Sequence, residues 1–163
     1  MTESARDEGD GARDGDEIAV ALARLGQSWR GLTEALEGIP EERLAEPGAV
    51  GTWSVKDVMG HVAFWDEQAL LAAERHLAGQ PPVRVPDWDG MNERQAAARA
   101  DRSVAEQRAE MERAHELIVA LLESRPPLDP AAVGLCGCLE EDTYQHYDEH
   151  ARNVRAWRER VGV

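Results

Sequence analysis

Two histidines stand four residues apart near the end of the chain, in Asp142-Thr143-Tyr144-Gln145-His146-Tyr147-Asp148-Glu149-His150. On a helix that spacing puts both imidazoles on one face, with Cβ atoms roughly 6 Å apart. Imidazole is a proton carrier near neutral pH and a ligand for divalent metals. His-x-x-x-His is a two-ligand spacing on a single helix. A third histidine, His61, lies in Val58-Met59-Gly60-His61-Val62-Ala63. Three histidines match the ligand count of a catalytic zinc site, which keeps at least one position open for water or substrate. A cation held by three neutral imidazoles keeps its full charge and lowers the pKa of a bound water or thiol. The bland alternative is that the rings hydrogen-bond to neighbours or line a wet crevice.

The elements that must position these rings read as helices. Ile18, Leu22, Leu25, Trp29, Leu32 and Leu36 step by three and four, a helical stripe that Gly38 and Pro40 end. Residues 38–53 are rich in proline and glycine and read as a loop. Ser54 with Asp57 three residues later spells a capping box, so a second helix is expected through Val58, Val62, Trp65, Ala69 and Ala72 to about Leu77. Residues 83–90 read as extended, and Met91–Arg99 as a short helix. Ser103 and Glu106 form a second capping box before the stripe Val104, Met111, Ala114, Leu117, Ile118, Leu121 and Leu122. A loop over 126–140 holds Cys136 and Cys138, and a last helix is expected from about Leu139 to Arg160. On its wheel, charged residues crowd one side. The remaining stripe carries His146, Tyr147, His150, Asn153, Val154 and Trp157. No segment alternates with period two, so the reading is all-α.

Composition narrows the functions. The 163 residues are one domain's worth. Residues 1–15 are acidic and polar and are expected to be a disordered tail, with the bundle over 16–163. The net charge of −14 opposes phosphate backbones and anionic lipid, so neither nucleic acid nor membrane is an expected partner. The start of the chain has no basic segment followed by an apolar one, and no apolar run is long enough to span a bilayer, which predicts a cytoplasmic chain. Two cysteines cannot make a disulfide framework and read as reduced thiols.

Several other residues could join the histidines. Asp57 lies one turn before His61, and Asp142 one turn before His146. Each either serves its helix N-terminus or orients an imidazole and acts as a base. Asn153, one turn after His150, could bond a ligand. Trp65 and Trp157 follow the histidines on the same faces, as core or as stacking platforms. His76 reads as a C-terminal helix cation, and His115 sits among Glu112, Arg113 and Glu116.

The segment Thr52-Trp53-Ser54-Val55-Lys56-Asp57-Val58-Met59-Gly60-His61-Val62-Ala63 resembles the one that opens the second helix of the DinB/YfiT-like superfamily. Asp142 to His150 resembles its fourth-helix segment, and the two lie in the expected order. The resemblance implies a four-helix bundle with up-down-down-up connections. It implies a metal on His61, His146 and His150: zinc first, with nickel or iron as alternatives. It also implies enzymes that use a low-molecular-weight thiol, of the mycothiol-dependent isomerase and bacillithiol or mycothiol transferase kind, alongside metal-dependent hydrolases and members with no known activity. Asp87-Trp88-Asp89-Gly90-Met91-Asn92 is similar to a pocket-entrance segment of some relatives, which would place Trp88 and Asn92 near a small-molecule substrate. Relatives often pair, so a homodimer is expected.

Overall fold

The computed structural model describes residues 11–126 and 134–163. Along helix α1 (Gly11–Leu36) the predicted stripe turns inward: Leu25, Leu32 and Leu36 are fully buried, and Leu22 and Trp29 pack at the edge of the core. The backbone is helical from Gly11, so residues 11–15, expected as tail, belong to α1. The disorder expected of residues 1–10 lies outside the described residues. Gly38, at φ +73°, takes the chain out of α1 in a left-handed conformation that a side chain would disfavour.

The segment expected as a loop is more ordered than that. A single 3-10 turn (Glu41–Arg43) leads to two antiparallel strands, β1 (Pro47–Val50) and β2 (Trp53–Ser54), with Val50 opposite Trp53. Gly51, at φ +55°, makes the reversal between them. Strands this short carry too few positions for alternation to register, which is why the sequence hides them.

Helix α2 (Val55–Leu77) starts where its capping box predicts. The Asp57 N–H donates to Ser54 Oγ at 3.2 Å, and the Ser54 N–H donates to Asp57 Oδ2 at 2.9 Å. Helix α3 (Trp88–Arg99) begins three residues earlier than expected, because Asp87 Oδ1 accepts from the Gly90 N–H and caps it. Helix α4 (Val104–Glu123) opens on the second predicted capping box. Met111, Ala114, Ile118 and Leu122 are buried, but Leu117 of the expected stripe faces outward.

The last helix starts before its expected boundary. Helix α5 (Leu135–Glu140) passes through a π turn (Glu141–Gln145) into α6 (His146–Val161). Leu135 and Leu139, four apart and both buried, extend the apolar stripe upstream and hold this segment on the core. Cys136 and Cys138 therefore lie on α5, not in a loop. The π turn places one extra residue in the helical repeat immediately before His146.

Helix α1 packs along α6, and α2 packs along α4 and against α5. Where α2 meets α4, a Cβ on Gly60 would collide with the fully buried Gln107 side chain. The bare backbone at Gly60 lets the two helices close up one residue before His61. The result is a mostly helical bundle. No described helix is long and apolar enough to cross a membrane.

Candidate metal centre

Helix α2 delivers His61 and helix α6 delivers His146 and His150. His61 and His150 are buried, and His146 is half-buried. The Nε2 atoms of His61 and His146 are 2.9 Å apart, and those of His146 and His150 are 2.8 Å apart. One ligand atom from each ring lies within 4.8 Å of the other two. An imidazole nitrogen carries one in-plane proton or one lone pair, so His146 Nε2 can satisfy only one of these two contacts by hydrogen bonding. A shared cation satisfies all three nitrogens at once. Tetrahedral coordination at zinc distances needs nitrogens about 3.3 Å apart, so the two short pairs would open slightly and the wider His61–His150 pair close, by small rotations of the rings. The residues present therefore fit a divalent ion.

The protonation state agrees with that use. Burial, then the neighbouring His146 charge, lowers His61 to about 3. Burial lowers His146 to about 4; the Asp142 main-chain carbonyl opposes this slightly, although it does not reach hydrogen-bond geometry with the ring. Burial, then the charges of His146 and His61, lowers His150 to about 2. All three rings are neutral at pH 7, which is the ligand form.

Gln95 of α3 supports His61 from behind. Its Nε2 lies 3.3 Å from His61 Nδ1, and its buried Oε1 has no hydrogen-bond partner. A half-turn of the amide exchanges the two ends without changing its shape. Oε1 then accepts the Nδ1–H of His61, and the Nε2 lone pair is free to face a cation. Gln95→Leu is therefore expected to weaken metal affinity about 10–100-fold in a chelator competition titration. Gln95→Glu, which keeps an acceptor there, should bind within a few-fold of the parent. Unchanged affinity in the leucine variant would remove Gln95 from the site. Sequence reasoning missed this residue, although Trp88, Asn92 and Gln95 follow the i, i+4, i+7 spacing of one helix face.

Above the histidines opens a pocket of about 350 Å3. Its walls include Trp53 from the hairpin, Trp65 from α2, Trp88 and Asn92 from α3, and Asp142 and Glu149 from the last helix. Trp65 Nε1–H donates to Asn92 Oδ1 at 2.9 Å and ties α3 to α2. Trp88 stacks on Trp65 at 4.7 Å and 26° and remains 52% exposed. Burial, then Glu141, raises the Asp142 carboxyl to about 6.

Of the residues singled out from sequence, Trp65, Trp88, Asn92 and Asp142 thus join the three histidines. Three others do not. Asp57 is engaged in its capping box and does not line the pocket. Asn153 is half-buried and does not line it either. Trp157 is 1% exposed within the apolar core. Trp53 and Glu149 were missed. Trp53 was visible only as a letter of the motif before His61, and Glu149 as one more charge on the solvent side of a wheel.

His115, flanked in the sequence by Glu112, Arg113 and Glu116, is buried. It falls between Met111 and Ile118 on the buried side of α4, stacked on Trp29 at 3.9 Å. Its Nδ1 is 3.2 Å from the Tyr147 hydroxyl, which donates to buried Asp66 Oδ2 at 2.6 Å. This polar string is separate from the metal set. Cys136 and Cys138 are free and half-buried, and burial, then Glu17, raises the Cys136 thiol. Among the described residues, no cysteine joins a metal-holding cluster.

These features define a class: helical bundles in which two helices bring a buried three-histidine cluster to the floor of an open pocket. The sequence pattern of the DinB superfamily matches residues 24–135, more than half of the chain. The chain belongs to the DinB superfamily. That match includes His61 and ends before His146 and His150. Among solved structures, an uncharacterised protein from Escherichia coli UTI89 is similar, with a TM-score of 0.76 and 17% identity over 90% of this chain and 95% of that one. The colibactin self-resistance protein ClbS, solved in complex with a dsDNA, is similar with a TM-score of 0.71 and 14% identity over 85% of this chain and 93% of that one. Identities this low speak for the fold alone. No curated protein matches the chain.

Proposed function

We propose that this protein is a metal-dependent enzyme, a transferase or isomerase that activates a low-molecular-weight thiol of the mycothiol or bacillithiol type. The observation that carries the reading is the pair of short contacts converging on His146 Nε2 at the floor of an open pocket. His61, His146 and His150 would hold a divalent ion, zinc first and nickel or iron as alternatives. When bound, that ion supplies Lewis acidity, which lowers the pKa of a thiol or water reaching it. Asp142, with its carboxyl near 6, stands on the wall as the proton acceptor. Trp53, Trp65 and Trp88 offer flat apolar surface to the substrate, and Asn92 is held in place by Trp65.

The same Asp142 favours a second reading, hydrolysis of a reactive small molecule, because a carboxyl near 6 can also take a proton from a water whose pKa a bound divalent ion would lower. A nucleic-acid role is not carried over from ClbS. With a net charge of −14 and carboxylates on the pocket wall, this chain repels phosphates.

The test uses zinc-loaded protein with a chloro-nitroarene and each candidate thiol. Loss of thiol with formation of the aryl thioether supports the transferase reading. Thiol-independent cleavage of an activated ester supports hydrolysis. Neither activity, at full metal occupancy, would reduce the protein to a binding bundle.

A further inference from the structure

The mouth of the pocket is one-signed. Asp142 and Glu149 line the pocket itself. An adjoining groove that shares Val50, Trp53 and Asn92 adds Asp89 and Glu93. A groove on the other side, sharing His146 and Glu149, adds Glu141 and Asp148 against a single cation, Arg152. Among the described residues, no lysine or arginine lines the central pocket. Six carboxylates against one guanidinium keep the entrance negative even when a divalent ion sits on the histidines.

The second feature is aromatic and independent of the charge. Trp88 lies on Trp65 with one face covered and the rest open, and Trp53 tilts over His61 at 4.7 Å. An indole face is the strongest side-chain partner for a cation, and a flat ring matches its shape. Low-dielectric walls focus the field of the carboxylates onto the opening.

We propose that this pocket selects a planar organic cation, seated against Trp88 and Trp53 with its charge toward Glu149 and Asp142, and that it excludes anionic ligands. The proposal rests on the pocket being the active site and names the class of substrate it takes. A thiol co-substrate with several free carboxylates would meet the same repulsion at the rim, so an uncharged thiol is the better match.

The test is tryptophan fluorescence quenching of the zinc-loaded protein by N-methylquinolinium and by naphthalene-2-sulfonate, two probes of similar shape and opposite charge. The cation is expected to bind at least ten-fold more tightly. Raising the salt from 20 to 500 mM should weaken it several-fold. Trp88→Ala and Glu149→Gln should each weaken the cation about five-fold or more, with metal content unchanged. Equal or tighter binding of the sulfonate, or cation affinity untouched by both substitutions, would overturn the proposal. Metal content measured on the same samples keeps the two readings apart. A protein without metal that still prefers the cation would sink the metal reading alone, and a fully loaded protein with no preference would sink this one alone.

Discussion

Replacing any one of His61, His146 and His150 by alanine is expected to abolish stoichiometric binding of a divalent metal, whereas His115→Ala should leave it intact. All four rings are enclosed by protein, so burial alone does not separate them. Geometry does. One nitrogen from each of the three rings lies within 4.8 Å of the other two, while His115 faces the Tyr147 hydroxyl and a tryptophan face. Removing one ligand leaves two imidazoles, too few to hold a tetrahedral ion firmly against water. Metal analysis after gel filtration gives the direct readout. Thermal unfolding gives a second one: metal at 100 times its Kd stabilises the parent by about 2.7 kcal/mol, and this increment should vanish in the three ligand variants. Equal metal content in all four variants would end the shared-cation reading. His115→Ala should lower the baseline stability, because it opens a gap beneath Trp29 and leaves the Tyr147 hydroxyl one partner short.

Metal-free protein should lose stability steeply between pH 7 and pH 5. His61, His146, His150 and His115 have folded pKa values of about 3, 4, 2 and 4, against an ordinary value of 6.5. The unfolded chain therefore binds more protons than the folded one through this window, and stability falls as pH falls. The loss begins at 6.5, where unfolded histidine starts to protonate, and continues until each folded ring titrates. At pH 5 each histidine accounts for about 2 kcal/mol, so the set can remove most of the stability of an ordinary domain. Two carboxyls act with the opposite sign. Burial holds Asp66 well above the carboxylate range and Asp142 at about 6, so both favour the folded state in acid and lose that advantage as pH rises. Asp66→Asn removes one of these offsets. It should steepen the acid loss, because it gains stability at pH 7 relative to the parent while gaining less at pH 5. Urea unfolding at several pH values measures both slopes. A flat profile from pH 7 to pH 5 would show that the rings are not held neutral in the fold.

Much of this protein is written locally. Ser54 with Asp57, and Ser103 with Glu106, announce two helix starts within four residues of sequence, because a cap bonds only to its own first turn. The stripes through Leu25, Leu32 and Leu36, and through Val58 and Val62, fix which faces turn inward, because a helix repeats every 3.6 residues wherever it sits. The same periodicity set His146 and His150 side by side and aimed His61 into the bundle. Tertiary packing decided the rest. His61 and His146 are 85 residues apart, and only the offset and rotation of α2 against α6 bring their nitrogens to 2.9 Å. The π turn before His146 sets the rotation of α6, and Gly60 admitting Gln107 sets how closely α2 docks on α4 beside His61, features that periodicity does not encode. Gln95 behind His61, Trp53 above it, Glu149 at the rim and the burial of His115 all belong to this second group. Each is a contact between elements, fixed by how whole helices dock rather than by what any short stretch of chain prefers.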